Sequence, residues 1–325
     1  MPKGALLTHG GLIAVARGAD VMALGISKDD VHISYLPLAH VYERCVVTQI
    51  ILKGGAIGFF RGDVQGLLED IQALKPTLFP SVPRLLNRIH DKIQAQVGAS
   101  ALKSALFKKA YTSKMEYMKR HTVLEHPIWD RVLFKKVQAL LGGRVRLIMS
   151  ASAPISGDVL AFLRVVFGCH VLEAYGQTES NGALSVTWPF DFERGHVGPP
   201  LSCCQVRLES VPEMQYLVGD SPYPRGEICV RGPIVFKGYL KDQKKTDETL
   251  VDGWLHTGDI GYIDKKGRIY VIDRKKNIFK LSQGEYIAPE KLENCFVKSG
   301  FVGQMYVHGE SLRVCLYLLE RGVTR

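Results

Sequence analysis

The sequence contains no C-x-x-C pair and no Cys/His spacing of a zinc module, so neither a dithiol redox centre nor a zinc finger is written in it as a motif. Its seven cysteines are scattered: Cys45, Cys169, Cys203, Cys204, Cys229, Cys295 and Cys315. An odd number in a chain of this size reads as buried free thiols in a reducing compartment. The adjacent pair Cys203-Cys204 reads as one inward and one outward strand position. Also absent are a G-x-x-x-x-G-K-[ST] phosphate loop, a G-x-G-x-x-G turn and a G-x-S-x-G nucleophile elbow. Ten histidines include no H-E-x-x-H. Basic residues are not interleaved with aromatics in a nucleic-acid-reading pattern, so no nucleic-acid partner is expected. No repeat and no low-complexity tract is present.

Long hydrophobic runs are missing too. Residues 45–60 are interrupted by Thr48, Gln49 and Lys53, and residues 159–171 by Arg164. Neither run reaches the length of a bilayer span, and Pro2-Lys3-Gly4 reads as a turn rather than a leader. What is there is ordinary globular composition: 325 residues, 46% hydrophobic and 23% charged, enough for one large domain or two to three smaller ones. A net charge of +10 points to polyanionic partners, among which nucleotides, coenzyme A, anionic lipid heads and nucleic acid all qualify.

Along the chain, short β-rich runs alternate with helical patterns. Residues 31–36, 56–60, 77–79 and 145–149 read as buried strands. Val82, Leu85, Leu86, Ile89, Ile93 and Val97 recur at helical spacing, with Pro83 suited to a first turn. Residues 155–167 form a second helix, entered through Pro154 and Ser156 and stopped at Gly168. The alternation predicts an α/β sheet with helices on both faces. Residues 101–121 predict a basic helix carrying Lys103, Lys108, Lys109, Lys114, Lys119 and Arg120, read as a solvated face in preference to a membrane or partner surface. From about Leu184 the pattern becomes short strands at 205–208, 227–230 and 269–272 between turns, an all-β subdomain resembling a small barrel. A helix begins at Ala288-Pro289-Glu290.

Two stretches carry chemistry. In Asp252-Gly-Trp-Leu-His-Thr-Gly-Asp259 a carboxylate follows a small turn at Thr257-Gly258, where it can accept hydrogen bonds from a diol. Asp273-Arg-Lys-Lys276 then offers a guanidinium fork and a point charge to phosphate or ribose oxygens. Upstream, Tyr175-Gly176-Gln177-Thr178-Glu179 follows the apolar strand 169–173, in the loop position where α/β sheets bind ligands. A tyrosine ring can stack on adenine, a threonine hydroxyl can bond a phosphate oxygen, and a glutamate can hold Mg²⁺. A polar turn accounts for the same residues equally well. Thr8 can simply cap the helix after Pro2-Lys3-Gly4.

Together with residues 33–40, Glu43-Arg44, 79–88, 141–144, 195–198, Gly232-Pro233, 235–242, 252–261, 272–280 and 283–291, these motifs resemble the acyl-adenylate-forming enzymes. The match is specifically to long-chain fatty-acid–CoA ligases, and it covers nearly the whole chain. The resemblance implies an α/β fold: a large adenylate-forming domain of mixed sheets and flanking helices with a small β-barrel-like subdomain, and a truncated C-terminal α+β subdomain. Its expected boundaries are 1–272 for the large domain, 273–278 for a hinge and 279–325 for the small one. It also implies ATP-dependent activation of a long-chain fatty acid through an acyl-adenylate, with Mg²⁺ as cofactor and coenzyme A as the second substrate.

Roles carry over by motif. Tyr175, Gly176 and Gln177 would lie at the adenine. Thr178 would bond the α-phosphate, and Glu179 would hold Mg²⁺. Asp259 would accept the ribose hydroxyls, and Arg274 and Lys276 would reach ribose and phosphate. Lys3 would bind the nucleotide, Lys280 would face pyrophosphate or serve thioester formation, and His40 would lie near the acyl carboxylate unless it caps the next helix. For a longer parent protein the resemblance implies membrane association at the cytosolic face of the endoplasmic reticulum or the mitochondrial outer membrane.

Three departures qualify the match. The Ser/Thr/Gly-rich part of the phosphate loop that precedes Pro2 in the family does not stand in residues 1–325. The family pattern dissolves after residues 308–312, before the lysine that the family uses for adenylation. Ser150-Ala151-Ser152-Ala153-Pro154 and Ser180-Asn181 differ from the subgroup, and Ala151 in place of glycine narrows a close backbone approach. The expectation is a poorly active chain. The alternatives are a non-catalytic nucleotide- or acyl-CoA-binding fragment and an adenylate-forming ligase for another carboxylic acid.

Overall fold

Six short strands form the sheet around which the first part of the chain folds. The computed structural model describes residues 3–20, 25–280, 286–296, 299, 302–309 and 316–322, with only the backbone at Lys280, Lys291, Asn294, Gly303, Gln304, Gly309 and 316–322. Pro2 and residues 283–285 and 310–315 of the motif runs lie outside the described residues. The chain divides into two compact units, one of residues 1–204 and 232–242, the other of residues 205–231 and 243–325.

In the first unit the element order is α1 (His9–Asp20), β1 (Val31–Ser34), α2 (Val41–Lys53), β2 (Ala56–Phe59), α3 (Leu67–Leu74), β3 (Leu78–Ser81), α4 (Pro83–Gly98), α5 (Ala101–His121), α6 (Lys135–Gln138), β4 (Leu147–Ser150), α7 (Gly157–Phe167), β5 (His170–Gln177) and β6 (Gly182–Val186). The strand order is β2-β1-β3-β4-β5-β6, parallel up to β5, with β6 antiparallel to it. Neighbouring residues on a strand point to opposite faces. Phe79, Ile148 and Val171 join one core with Leu86, Ile93, Phe107 and Phe162, whereas Leu78, Leu147 and Leu172 join another with Tyr42 and Ile50. Both faces of β3, β4 and β5 are therefore covered, which is why these strands read as unbroken apolar runs, whereas the edge strand β2, expected to be buried, leaves Phe59 78% exposed.

The helices follow their signals. Leu86, Ile89 and Ile93 are the buried face of α4, and Pro83 opens it. Thr8 Oγ1 accepts the Gly11 N–H and caps α1. Ser156 caps α7, and Gly168 ends it in the left-handed conformation at φ +60°. One basic residue of α5 departs from the expectation of a solvated face. Lys114 is fully buried and donates to Asp130 Oδ1 at 2.5 Å, and Asp130 also accepts from Gln138 Nε2 at 2.7 Å and from the His126 N–H at 2.6 Å. Burial lowers the Lys114 pKa even against this partner.

Two further expectations change. The pattern shift expected near Leu184 comes at Gln205, because β6 returns alongside β5 and belongs to the first sheet. Cys203 and Cys204 stand in a turn before the next strand, not on it, and both thiols are free and half-buried.

The second unit contains β7 (Gln205–Glu209), β8 (Arg225–Arg231), α8 (Gln243–Thr249), β9 (Leu250–Val251), β10 (Trp254–Ile263), β11 (Ile269–Arg274), β12 (Phe279–Lys280), β13 (Tyr286–Ile287), α9 (Pro289–Phe296), β14 (Val302–Gly309) and β15 (Leu316–Gly322). An antiparallel sheet runs β11-β10-β8-β7, with β9 on β10, and β12-β13 and β14-β15 are separate pairs. Among the described residues no helix is long and apolar enough to cross a membrane.

Candidate functional site

In the first unit, three runs separated in sequence meet around Glu179. The segment 4–6 lies antiparallel to 238–240: Leu6 N–H donates to Gly238 O, Lys237 N–H to Leu6 O and Leu240 N–H to Gly4 O. This seats the exposed Lys3 with its Nζ 5.2 Å from the centre of the Tyr239 ring. The buried Tyr239 hydroxyl in turn donates to Glu179 Oε1 at 2.5 Å, and Phe236 N–H donates to Glu179 O at 2.8 Å. A carboxylate accepting so short a bond is held in one orientation.

The run 175–179 is not wholly a loop. Tyr175, Gly176 and Gln177 are the last residues of β5, opposite Ser185, Ala183 and Gly182, with a bulge between Tyr175 and Gly176. The apolar run 169–173 ends where the strand turns polar, not where it stops. Gly176 is required by contact: a Cβ there would lie 1.9 Å from Gly182 O. Only Thr178, Glu179 and Ser180 leave the strand, as a 3-10 turn. Ser180 Oγ lies 3.0 Å from the Gln177 N–H, which it accepts, and 2.9 and 2.7 Å from the carbonyls of Gln177 and Gly182. Asn181, left-handed at φ +51°, donates Nδ2–H to Ile234 O at 2.7 Å. Together these bonds present Thr178 to solvent and leave Glu179 half-exposed. In the departing run 150–154 the left-handed position is Ser152, at φ +77°, and Ala151 beside it is buried.

His40 is the N-cap of α2, its Nδ1 accepting the Tyr42 N–H at 3.2 Å, which is the capping role that its position allowed. One turn into that helix a pair went unread in the sequence. His32 Nε2 and Glu43 Oε1 meet at 2.9 Å with both side chains fully buried, leaving His32 Nδ1 and Glu43 Oε2 without partners.

In the second unit Asp252-Gly253 form the turn between β9 and β10, and residues 254–259, expected to contain a turn at Thr257-Gly258, are the first part of β10. Against β8, His256 pairs with Cys229 and Ile260 with Glu227, so that Thr257, Gly258 and Asp259 bulge opposite the single residue Ile228. Gly258 sits at φ +74°. The bulge is tied down: Thr257 Oγ1 donates to Ile228 O at 2.7 Å, Gly258 N–H to Glu227 Oε1 at 3.0 Å, and Lys275 N–H to Gly258 O at 2.7 Å. Asp259, only 6% exposed, stands opposite Arg274 of β11, whose Nε lies 3.6 Å from Asp259 Oδ1. Arg274 and Lys276 are exposed, and Lys276 makes no ion pair among the described residues. Lys275, given no role by the sequence, bridges Glu213 at 3.4 Å and Glu227 at 3.5 Å.

The turn after β11 is held by Asp273. Its buried carboxylate accepts the Arg274 N–H at 2.6 Å and the Glu290 N–H at 3.0 Å, so one side chain ties the end of the sheet to the start of α9. Burial raises the Asp273 pKa. Lys280 is placed by its backbone in β12.

The structure thus gathers Lys3 and Thr178-Glu179 into one group, with Tyr175, Gly176 and Gln177 on the strand leading to it, and Asp259 with Arg274 into another in the other unit. Sequence reading missed Tyr239 and Glu227, which hold Glu179 and the bulge. Tyr239 stood inside a motif run, but no local pattern gave it a role.

Comparison with known proteins gives the family. The sequence family described as AMP-binding enzyme matches residues 1–240. Long chain acyl-CoA synthetase 7, peroxisomal, from Arabidopsis thaliana is 52% identical over 317 residues, covering 97% of this chain and 45% of that protein. Long-chain-fatty-acid–CoA ligase 5 from Mus musculus is 51% identical, covering 96% of this chain and 46% of the relative. The chain therefore spans about half the length of these relatives. Among solved structures, the A domain of carboxylic acid reductase from Segniliparus rugosus, in complex with AMP and a co-purified carboxylic acid, is similar at TM-score 0.70 and 28% identity, covering 99% of this chain and 48% of that one. The o-succinylbenzoate CoA synthetase of Bacillus subtilis, in complex with its acyl-adenylate intermediate, is similar at TM-score 0.69 and 25% identity, covering 96% and 54%. Its match over residues 1–240 and its identity of about half to long-chain acyl-CoA synthetases over nearly its whole length place this chain in the AMP-binding enzyme family.

Proposed function

We propose that the protein to which this chain belongs activates long-chain fatty acids: a fatty carboxylate oxygen attacks the α-phosphorus of ATP, the α–β bridge breaks, and pyrophosphate leaves. The thiol sulfur of coenzyme A then attacks the acyl carbonyl of the adenylate, AMP departs, and the thiol proton is lost to solvent. Such chemistry depends on positioning and charge neutralisation more than on a protein nucleophile. The observation that carries the reading is the Lys3–Tyr239–Glu179 network beside Thr178, since it joins three separate motif runs at one group suited to an anionic ligand.

In this reading Tyr175 stacks on the adenine, with Gly176 and Gln177 at its edge. Thr178 bonds the α-phosphate, and Lys3 offsets phosphate charge. Asp259 accepts the ribose hydroxyls, and Arg274 and Lys276 reach ribose and phosphate. His40 caps α2 through Nδ1 and in this reading also lies near the acyl carboxylate, and Lys280 serves pyrophosphate or the thioester step. A magnesium ion fits Glu179: one oxygen is fixed by Tyr239, and no group of three His, Cys, Asp or Glu side chains gathers there among the described residues. That is the sparse protein ligation of an ion held mainly by phosphate and water. When bound, the ion would neutralise phosphate charge. Residues 273–278, pinned by Asp273, are the proposed hinge between a large domain of 1–272 and a small one of 279–325.

Calorimetric titration of the 325-residue chain with AMP and with Mg·ATP, paired with palmitate- and coenzyme A-dependent AMP release, tests the assignment. Binding together with release identifies the ligase, and binding without release identifies a nucleotide-binding part of it. Failure to bind either nucleotide rejects the site. A preference for acetate over palmitate in the longer protein rejects the long-chain assignment. For that longer protein, the resemblance supports membrane association at the cytosolic face of the endoplasmic reticulum or the mitochondrial outer membrane. The printed name of the Arabidopsis relative supports a peroxisomal alternative. Imaging of a fluorescent fusion separates them.

A further inference from the structure

On one face of the second unit's sheet, three strands bring together side chains that the proposed ligase reaction does not use. The register sets Arg207 opposite Cys229, Glu209 opposite Glu227 and His256 opposite Cys229. Cross-strand partners share a face, and residues two apart on a strand share one too, so all five side chains stand on the same side. One donor atom each of Glu209, Cys229 and His256 lies within 4.8 Å of the others. Cys229 Sγ is 3.6 Å from His256 Nδ1, and Glu209 Oε2 is 3.9 Å from His256 Nε2.

The nitrogen of His256 that lies beside the thiol is Nδ1, so an ion shared with Cys229 binds there. His256 Nε2 is buried with no hydrogen-bond partner. Glu209 Oε2 lies 3.9 Å from Nε2 and Glu227 Oε2 3.6 Å from Nδ1, while the Arg207 guanidinium bonds Glu209 and the Cys229 side chain. Thiol, imidazole and carboxylate are the ligand set of zinc and related borderline-soft divalent ions. With metal–sulfur and metal–nitrogen bonds of about 2.3 and 2.0 Å, a tetrahedral ion sets sulfur and nitrogen about 3.5 Å apart. The observed 3.6 Å between Cys229 and His256 matches that edge.

We infer that Glu209, Cys229 and His256 form a site for a borderline-soft divalent cation of the zinc class, with a fourth position open to water. Arg207 is the one cation to be displaced. It donates to Glu209 Oε2 at 3.0 Å and stacks over Trp254 at 4.4 Å, and its half-exposed side chain can swing to solvent while keeping the ring. The ion takes the place of the Cys229 thiol proton, which leaves to solvent, so affinity rises with pH. His256 immediately precedes the Thr257-Gly258-Asp259 bulge, so an ion on His256 also fixes the strand from which Asp259 is presented.

The test is titration of the 325-residue chain with Zn²⁺, and with Co²⁺ read by absorption. The expected result is one equivalent bound, a thiolate-to-cobalt charge-transfer band in the near ultraviolet, and tighter binding at pH 8 than at pH 6.5. In Cys229→Ser and His256→Gln the band disappears and affinity falls at least tenfold, while Cys295→Ser, which alters an exposed thiol elsewhere, keeps both. If Cys229→Ser does not fold, His256→Gln and Glu209→Gln carry the comparison, each checked by circular dichroism. Absence of the cobalt–thiolate band, or its survival in folded His256→Gln, overturns the site. AMP titration of the metal-free parent chain tests the nucleotide site separately.

Discussion

Glu173 lies on β5 two residues before Tyr175, opposite Ser150, and is mostly buried, with no ion pair among the described residues. Burial pushes its pKa up to about 8 from an ordinary 4.5, against a hydrogen bond from the Ile155 backbone. A carboxyl whose folded pKa is raised binds more protons folded than unfolded across that window, so its contribution to stability is full below about 4.5 and lost as pH rises toward 8. Urea unfolding of Glu173→Gln should therefore match the parent near pH 4.5 and exceed it increasingly toward pH 8, by a slope of up to ~1.4 kcal/mol per pH unit. Parallel pH profiles of the two proteins would show that Glu173 ionises normally. Glu179 is held by a side chain instead, with the Tyr239 hydroxyl on one oxygen. Glu179→Gln keeps the shape and removes the charge. Calorimetry should show Mg·ATP affinity lowered about tenfold, ~1.4 kcal/mol, with AMP binding nearly unchanged. Equal losses for both ligands would move Glu179 away from the ion. Tyr239→Phe should cost about 1.5–3 kcal/mol in urea unfolding through the lost bond to a carboxylate.

At the scale of elements, two glycines separate two ways in which a strand can go wrong. Gly176 is pressed on the Gly182 carbonyl, so Gly176→Ala must part β5 from β6. The expected result is a loss of more than ~3 kcal/mol in urea unfolding, or no soluble protein. Gly258 has nothing within 4 Å of where a Cβ would stand, but sits at φ +74°. Gly258→Ala therefore incurs backbone strain alone, about 1–2 kcal/mol, with AMP affinity lowered because Asp259 is the next residue. Full AMP affinity in Gly258→Ala would remove Asp259 from the nucleotide. The same two places mark what the sequence made legible. The central strands β1, β3 and β4 and helices α4, α5 and α7 were readable because burial on both sheet faces or on one helix stripe leaves a period in the chain. Tyr175–Gln177 read as a loop because a bulged antiparallel strand end carries polar residues and glycine, the composition of a turn. Thr257-Gly258 read as a turn for the same reason, although it is a bulge flanked by ladder bonds on both sides. Lys114 read as solvated because its partner Asp130 is sixteen residues away, beyond the reach of any helical pairing rule. The cluster of Glu209, Cys229 and His256 left no motif at all, since its members come from three strands whose register no spacing encodes.

The whole chain crosses between its two compact units three times, at 204/205, 231/232 and 242/243. The strands β7 and β8 are thus an excursion from the first unit into the sheet completed by β10 and β11, and no single cut separates one unit with its sequence intact. Net charge is likewise a property of the whole. At +10 it sets up a field that acts on any polyanion before local contacts form. That field is screened over about 10 Å at 0.1 M salt and about 3 Å at 1 M, whereas short bonds such as Tyr239 to Glu179 are scarcely affected. ATP carries more negative charge than AMP, so the two ligands report different shares of it. Raising sodium chloride from about 0.1 to about 1 M should weaken ATP binding several-fold, mostly through a slower association rate in stopped flow, and should weaken AMP binding less. Dissociation rates, set by the local groups, should change little. Equal salt slopes for ATP and AMP would mean that the excess positive charge, however large, lies away from the path by which nucleotide arrives.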